Sequence, residues 1–171
     1  MNIRARISSL GWALFLGLMV AGTQGCGTTV KSTPPTTPPS QHETNSPMGQ
    51  KIAETAKGYL GTPYHYGGQA PGGFDCSGLV YYVYKRYGYK LPRSADDQIK
   101  VGQFISRKDL RPGDLVFFKV PWAKGYHVGL FAGNGWFIHA PRSGRRVEMQ
   151  RIDEDYFRRT YTTARRIVDD V

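Results

Sequence analysis

The sequence predicts an α+β domain in which N-terminal helices pack on a mainly antiparallel sheet. Helical periodicity dominates up to about residue 100, whereas short apolar runs separated by turn residues, which are typical of strands, follow from Arg111 onward. Because the strands come as one block after the helices, the two kinds of element do not alternate as they do in a parallel α/β fold. We therefore expect the helix that begins near Cys76 to pack on the sheet.

The helix at Cys76 is the best defined of three predicted in the first half of the domain. Asp75 is a good N-cap residue, Leu79, Val80 and Val83 form an apolar stripe, and Gly88 ends the pattern. A helix from Pro47 to Gly61, capped by Ser46, precedes it, and a short helix over 95–100 follows, with Ser94 and Asp97 at capping-box spacing. A glycine-rich loop occupies 62–73.

From Arg111 onward, the sequence predicts mainly strands. The turn Pro112-Gly113 precedes a run at 114–118 that is apolar enough to be buried on both faces of a sheet. Further strands are predicted at 126–132, 136–140, 146–150 and 161–168, and a short helix at 153–158.

The first 46 of the 171 residues are predicted to lie outside the folded domain. Arg4 and Arg6 precede an apolar run from Leu10 to Ala21, and with the small residues that follow, residues 1–25 resemble a lipoprotein-type export signal. The run is short for a membrane span. Residues 26–46 are rich in Thr and Pro and predict an extended tether, which leaves 47–171 as the folded domain.

Cys26 stands where a bacterial lipoprotein carries its lipid, although Thr23 and Gln24 depart from the usual lipobox. We expect lipid attachment at Cys26 and hence membrane anchoring, with plain secretion as the alternative. A disulfide between Cys26 and Cys76 is the other reading of an exported chain with two cysteines. In the lipoproteins that this segment resembles, a glycine at the position of Gly27 is no inner-membrane retention signal, so the expected address is the cell envelope and, in a cell with two membranes, the periplasmic face of the outer membrane.

The chain is basic. It carries 23 Lys and Arg against 13 Asp and Glu, and loss of Arg4 and Arg6 with the signal leaves a formal charge of +8. An exported address argues against nucleic acid as the partner. Two explanations of the positive charge remain: binding to anionic cell-wall polymers, or charge spread over the surface that serves only solubility.

Cys76 is a candidate nucleophile. In the first turn of a helix, unpaired backbone N–H groups and the helix dipole favour a thiolate and hence a lowered pKa. The alternative is an inert buried cysteine, since free cysteine is among the most buried residue types.

His127 and His139 each interrupt an apolar strand, which is costly unless the ring nitrogens find partners. A two-residue turn at Asn134-Gly135 would place the two rings on opposite faces. A three-residue loop over 133–135, or a bulge with the same effect, would place them on one face, and we expect this second register. With Cys76 facing them, the three side chains form a Cys-His-His arrangement for acyl transfer. Zinc held by the same three residues is a weaker alternative.

Six segments, in chain order, carry a family resemblance: 62–68, 74–80, 91–94, 112–118, 127–131 and 137–140. They resemble the NlpC/P60 cysteine peptidases, most closely the small lipoprotein murein endopeptidases. The resemblance implies a papain-like core and hydrolysis of an amide bond in peptidoglycan stem peptides or cross-links. We expect no metal or cofactor, and a monomer. It also implies Cys76 as nucleophile, His127 as base and His139 as third catalytic residue.

The resemblance further places Tyr64 near the oxyanion, and Asp75 and Ser77 in binding of the stem peptide. From the residues alone, Tyr64 could equally pack in an aromatic loop, and Asp75 could act only as a helix cap. Trp122 and Tyr126 are candidates to line the cleft before His127. An inactive envelope lipoprotein that binds peptidoglycan or a partner on the same scaffold is the competing function.

Overall fold

The computed structural model describes residues 47–168. The predictions for the export signal, the tether, Cys26 and the Ser46 cap concern residues outside this range. The helices are α1 (Pro47–Lys57), α2 (Cys76–Lys85), α3 (Ala95–Gln98) and α4 (Asp155–Thr160). The strands are β1 (Gln69–Ala70), β2 (Gly73–Phe74), β3 (Gln103–Ile105), β4 (Leu115–Phe118), β5 (His127–Gly133), β6 (Trp136–His139), β7 (Glu148–Arg151) and β8 (Tyr161–Arg166).

Six of the strands form one sheet in the order β3-β8-β4-β5-β6-β7, and every neighbouring pair is antiparallel. Helices α1 and α2 contact β5, so the first two helices pack on the middle of this sheet. The structure thus confirms the predicted α+β class and the position of the Cys76 helix. No helix within residues 47–168 combines the length and the apolar character needed to cross a bilayer.

Strand β4 is buried on both faces, as its composition predicts. Leu115 and Phe117 join the apolar core beneath α1 and α2, while Val116 and Phe118 join a second core on the opposite face, with Phe157 of α4. The sheet is therefore covered on both sides at its centre, where β4 and β5 run side by side.

The two predicted helix caps that lie among the described residues are present. The Asp75 carboxylate accepts a hydrogen bond from the Gly78 N–H at 2.7 Å, and the Ser94 hydroxyl accepts one from the Asp97 N–H at 3.2 Å. Each bond satisfies a backbone donor that the first helical turn leaves unpaired. The Asp75 cap fixes where α2 begins, and with it the position of Cys76.

Several predicted boundaries are wrong. Helix α1 ends at Lys57 and not at Gly61, because the chain turns over 58–61 and leaves Leu60 42% exposed. Helices α2 and α3 and strand β8 also end two or three residues before the predicted limits. The predicted loop over 62–73 contains the short β1–β2 hairpin, whose Gln69-Ala70 strand has no apolar alternation, and β3 was not predicted.

The β5–β6 hairpin has the register that places both histidines on one face. Leu130 lies opposite Ile138 and Phe131 opposite Phe137, but the register shifts before Gly133 pairs with Trp136. The turn itself is the two-residue Asn134-Gly135, with both residues at positive φ, and the extra residue forms a bulge in β5. The bulge, and not a three-residue loop, produces the predicted effect.

We predict that Gly78→Ala destabilises the domain by about 2 kcal/mol although alanine favours helices, because overpacking has a cost of this order. A Cβ at Gly78 would collide with the backbone carbonyl oxygen of Gly68, which already accepts the Asp75 N–H. Urea unfolding measures the change. Gly72→Ala is the matched control, since a Cβ there meets no atom within 4 Å. Equal stability of the two variants would contradict the prediction.

Candidate active site

A cleft of about 800 Å³ opens at the N-terminus of α2. Its walls come from the loop before the β1–β2 hairpin, the start of α3, the loop that leads into β5, and the loop after β6. Among the predicted site residues, Cys76, His127, Tyr64, Asp75 and Ser77 line it. His139 does not, because it lies buried in β6 behind His127.

Cys76 is the first residue of α2 and carries a free thiol. Burial raises the pKa of this thiol, while hydrogen bonds to the backbone of Val128 and Ser77 pull it down. The lowered pKa expected from helix position is therefore wrong for the resting site. The backbone donors are present as expected, but the loss of water around the sulfur outweighs them.

His127 lies in β5, is fully buried, and holds one nitrogen against His139. The distance from His127 Nε2 to His139 Nδ1 is 2.7 Å, so the two rings share a face and a hydrogen bond as the register predicts. The other nitrogen, His127 Nδ1, has no hydrogen-bond partner within residues 47–168. Burial lowers the pKa of His127 to about 3, which keeps the ring neutral at pH 7.

His139 is the second buried imidazole. Burial, the neighbouring His127 and the Arg145 charge together hold its pKa well below the usual value. Its far nitrogen, Nε2, makes no hydrogen bond to any described residue, and Glu148 Oε1 lies 3.8 Å from it. Both histidines are therefore neutral, and between them they share one proton along the 2.7 Å contact.

Arg93 organises Asp75 and Ser77. Its guanidinium donates to Asp75 Oδ1 at 3.0 Å and Oδ2 at 2.6 Å, and to Ser77 Oγ at 3.0 Å. Asp75 also accepts from the N–H groups of Gly67 and Gly78. The Asp75 carboxylate is thus committed to the cap and to Arg93, and the sequence did not reveal this partner because Arg93 lies 18 residues away.

Tyr64 and two residues of the β5 approach complete the walls. Burial, and then the proximity of Cys76 and Asp75, raise the pKa of the Tyr64 hydroxyl, which remains protonated. The Trp122 ring meets the His127 ring edge-on, with centroids 4.6 Å apart, and Tyr126 also lines the cleft. Trp122 is 37% exposed, so it covers His127 from one side while facing solvent on the other.

Metal ligation was the weaker alternative for Cys76, His127 and His139. Within residues 47–168, no three His, Cys, Asp or Glu side chains are grouped so that they could hold a metal ion. His127 Nε2 and His139 Nδ1 contact each other directly, and they do not point at a shared position where a metal ion could sit. The geometry is that of two imidazoles joined by a hydrogen bond.

Comparison with known proteins decides the family, since the NlpC/P60 family model matches residues 61–166, more than half of the chain. The chain belongs to the NlpC/P60 family. Murein DD-endopeptidase MepH from Escherichia coli K12 is 43% identical over 114 residues, which are 64% of this chain and 42% of MepH. A gamma-D-glutamyl-L-lysine dipeptidyl-peptidase from Bacillus subtilis is 39% identical over 119 residues, or 68% of this chain and 40% of that protein.

Solved structures agree on the fold. An NlpC/P60 family protein from Bacillus cereus ATCC 10987 superposes with a TM-score of 0.65 at 36% identity, covering 71% of this chain and 40% of that one. The predicted α+β, papain-like NlpC/P60 core is thereby confirmed. The chain spans about two fifths of the length of these relatives, so the comparison concerns one domain of each.

The buried histidines make the stability of the NlpC/P60 domain depend on pH. Unfolded His127 binds a proton below pH 6.5, whereas folded His127 does so only near pH 3. The contribution of His127 to the free energy of unfolding is therefore complete above pH 6.5. It is lost progressively as the pH falls toward 3, by about 1.4 kcal/mol for each pH unit. We expect urea unfolding at about pH 4.5 to show this loss.

His127→Asn has no imidazole at this position and should lose less stability over the same pH range. His65→Asn removes an exposed histidine and should retain the wild-type pH dependence. Parallel stability curves for wild type and His127→Asn would show that burial of His127 does not set the slope.

Proposed function

We propose that this NlpC/P60 chain is a cell-wall hydrolase, a cysteine endopeptidase that cleaves an amide bond in peptidoglycan stem peptides or cross-links. The observation that carries the proposal is the 2.7 Å contact between His127 Nε2 and His139 Nδ1. It leaves His127 Nδ1 unpaired beside a cleft that also contains the Cys76 thiol. MepH, the dipeptidyl-peptidase of B. subtilis and the peptidoglycan hydrolase SagA, whose domain superposes with a TM-score of 0.61, support the substrate class.

In the proposed reaction His127 Nδ1 takes the proton from the Cys76 thiol, and the sulfur attacks the carbonyl carbon of the scissile amide. The protonated His127 then gives that proton to the leaving amine, and a thioester remains on Cys76. Water, deprotonated by His127, hydrolyses the thioester and restores the thiol. His139 acts through its contact with Nε2 by fixing the orientation and protonation of His127.

The oxyanion that forms during attack needs donors beside the sulfur. The backbone N–H of Cys76 lies in the first turn of α2, where no intrahelical acceptor is available, and the protonated Tyr64 hydroxyl belongs to the same cleft. We assign the oxyanion to these two groups. Ser77 and Asp75 contribute to the substrate wall mainly by holding Arg93 and the start of α2 in place.

The identity of the bond is open between two chemistries that the relatives' names describe. MepH is named as a murein DD-endopeptidase, whereas the B. subtilis relative is named as a gamma-D-glutamyl-L-lysine dipeptidyl-peptidase. Digestion of purified muropeptides followed by mass spectrometry of the products distinguishes the two. It also separates hydrolysis from binding by an inactive scaffold, which would leave the muropeptides unchanged.

We expect Cys76→Ala and His127→Ala to abolish muropeptide cleavage, by at least about a thousandfold, because each removes a member of the proton and nucleophile pair. His65→Ala, a change at an exposed histidine of the glycine-rich loop, should keep wild-type activity. Circular dichroism of each variant establishes that the domain is folded. Activity retained in folded Cys76→Ala would rule out the thiol mechanism.

Iodoacetamide and a chelator give opposite expectations for the thiol and zinc mechanisms. Alkylation of Cys76 should eliminate cleavage, with labelling of this residue confirmed by peptide mass, while EDTA should leave the rate unchanged. Loss of activity in EDTA that zinc restores would favour the metal alternative.

We further propose that Cys26 carries a lipid and that residues 26–46 tether the catalytic domain to a membrane of the cell envelope. The support is the sequence pattern alone: basic Arg4 and Arg6, the apolar run and the cysteine that follows. Expression of the full chain with radiolabelled palmitate should label the wild type in the membrane fraction. Cys26→Ala should lose the label and leave the membrane fraction, and label retained by this variant would contradict the proposal.

A further inference from the structure

Besides His127 Nδ1, which faces the cleft in the proposed reaction, a second nitrogen of the histidine pair has no hydrogen-bond partner within residues 47–168. His139 Nδ1 faces His127, but His139 Nε2 is buried and makes no hydrogen bond to any residue between 47 and 168. Buried polar atoms without partners are few in native proteins, and each calls for an explanation. The surroundings of Nε2 therefore indicate what stabilises His139.

Glu148 places a carboxylate close to this nitrogen. It lies directly opposite His139 in the antiparallel pairing of β6 and β7, so the two side chains leave the sheet side by side. Glu148 Oε1 is 3.8 Å from His139 Nε2, beyond a hydrogen bond but within reach after a small side-chain rotation. The Glu148 side chain is 26% exposed, so it connects the buried ring to the surface.

Arg145 holds Glu148 from the other side. One guanidinium nitrogen, Nη2, lies 2.9 Å and 2.7 Å from the two oxygens of the Glu148 carboxylate. The Arg145 carbonyl also accepts the Tyr64 N–H at 2.9 Å, which ties this segment to the cleft wall. The charged or titratable groups around His139 are thus His127, Glu148 and Arg145, and the aromatic rings of Phe137 and Phe157 cover the rest.

The proposed reaction requires one particular tautomer of His139. When His127 takes the Cys76 proton at Nδ1, both of its nitrogens carry hydrogen, and Nε2–H must donate to His139 Nδ1. His139 can accept at Nδ1 only if its own proton is on Nε2. In the opposite tautomer, His139 Nδ1–H donates to His127 Nε2, which places the proton of neutral His127 on Nδ1, where it blocks transfer from Cys76.

We propose that Glu148 is a positioning residue that fixes the Nε2–H tautomer of His139, and that Arg145 holds its carboxylate in place for this task. The inference rests on the proposed thiol mechanism, and it extends the relay from the cleft to the sheet edge. Glu148 provides the only carboxylate beside His139 Nε2 among the described residues. Arg145 balances the charge of Glu148, so that the carboxylate orients the proton without converting His139 to an imidazolium.

The tautomer can be measured without any cleavage assay. In the full chain labelled with ¹⁵N-histidine, we expect the His139 signals to show Nε2–H in the wild type. Glu148→Ala should shift the His139 population toward Nδ1–H, whereas Glu148→Gln keeps an acceptor oxygen and should remain closer to the wild type. Glu54→Ala is the matched control, because it breaks another i,i+3 ion pair, with Lys57, in helix α1 and not beside the β6–β7 pair that holds His139.

Cleavage kinetics supply the second measurement. Glu148→Ala should lower kcat by about tenfold or more with little change in KM, a typical effect of losing a group that orients a functional histidine. Glu148→Gln should recover part of kcat, and Glu54→Ala should match the wild type. Loss of the carboxylate charge in Glu148→Gln should move the acidic limb of kcat/KM to lower pH, because an imidazolium is then less stabilised and the histidine base stays neutral to lower pH.

Arg145→Gln should move the same limb to higher pH, since it removes the cation that opposes protonation. Shifts in opposite directions in these two variants would indicate an effect of charge, because a packing defect has no reason to depend on the sign of the charge removed. Unchanged His139 signals together with unchanged kinetics in Glu148→Ala would overturn the proposal while leaving the thiol mechanism intact. An inactive wild type would instead count against the proposed function, and the NMR measurement would still decide whether Glu148 sets the tautomer.

Discussion

The hydrogen bond between two buried imidazoles is the constraint on which the rest of this structure depends. A neutral imidazole has one donor and one acceptor, so a pair of them in contact must agree on which ring donates. The bulge in β5 sets the register that brings His127 Nε2 to 2.7 Å from His139 Nδ1. The cores on both faces of the sheet keep these two strands dry and fixed, and the dryness keeps both rings neutral.

The second requirement is that α2 begins at the right place. Asp75 caps the helix, and Arg93 clamps the Asp75 carboxylate at both oxygens, while the absence of a side chain at Gly78 lets the first turn approach the Gly68 carbonyl. These contacts join the glycine-rich loop, the helix and the segment before α3 around one carboxylate. Cys76 follows directly after this junction, so backbone and ionic contacts around Asp75 help to set its position.

Much of this arrangement could be predicted from local sequence. The apolar stripe and the cap residue define α2, the unbroken apolar run defines β4, and Gly-Asn-Gly marks the β5–β6 hairpin. Local sequence did not reveal the β1–β2 hairpin, because its strands have two residues each and β1 is exposed. Arg93 and Glu148 were missed for a different reason: their roles depend on partners brought together by tertiary contact or cross-strand pairing, which hydrophobic periodicity does not encode.

Burial opposes ionisation at both ends of the proposed nucleophile pair, raising the pKa of Cys76 and lowering that of His127. A thiolate or an imidazolium alone would therefore be unfavourable in this cleft. Transfer of one proton from sulfur to nitrogen creates both charges together, and in a poorly solvated site each stabilises the other strongly. On the sulfur side, backbone donors stabilise the negative charge. On the nitrogen side, the contact with His139, and Glu148 beyond it, would stabilise the positive charge. In the proposed reaction, the two groups would thus stay neutral until a substrate carbonyl is present to receive the negative charge.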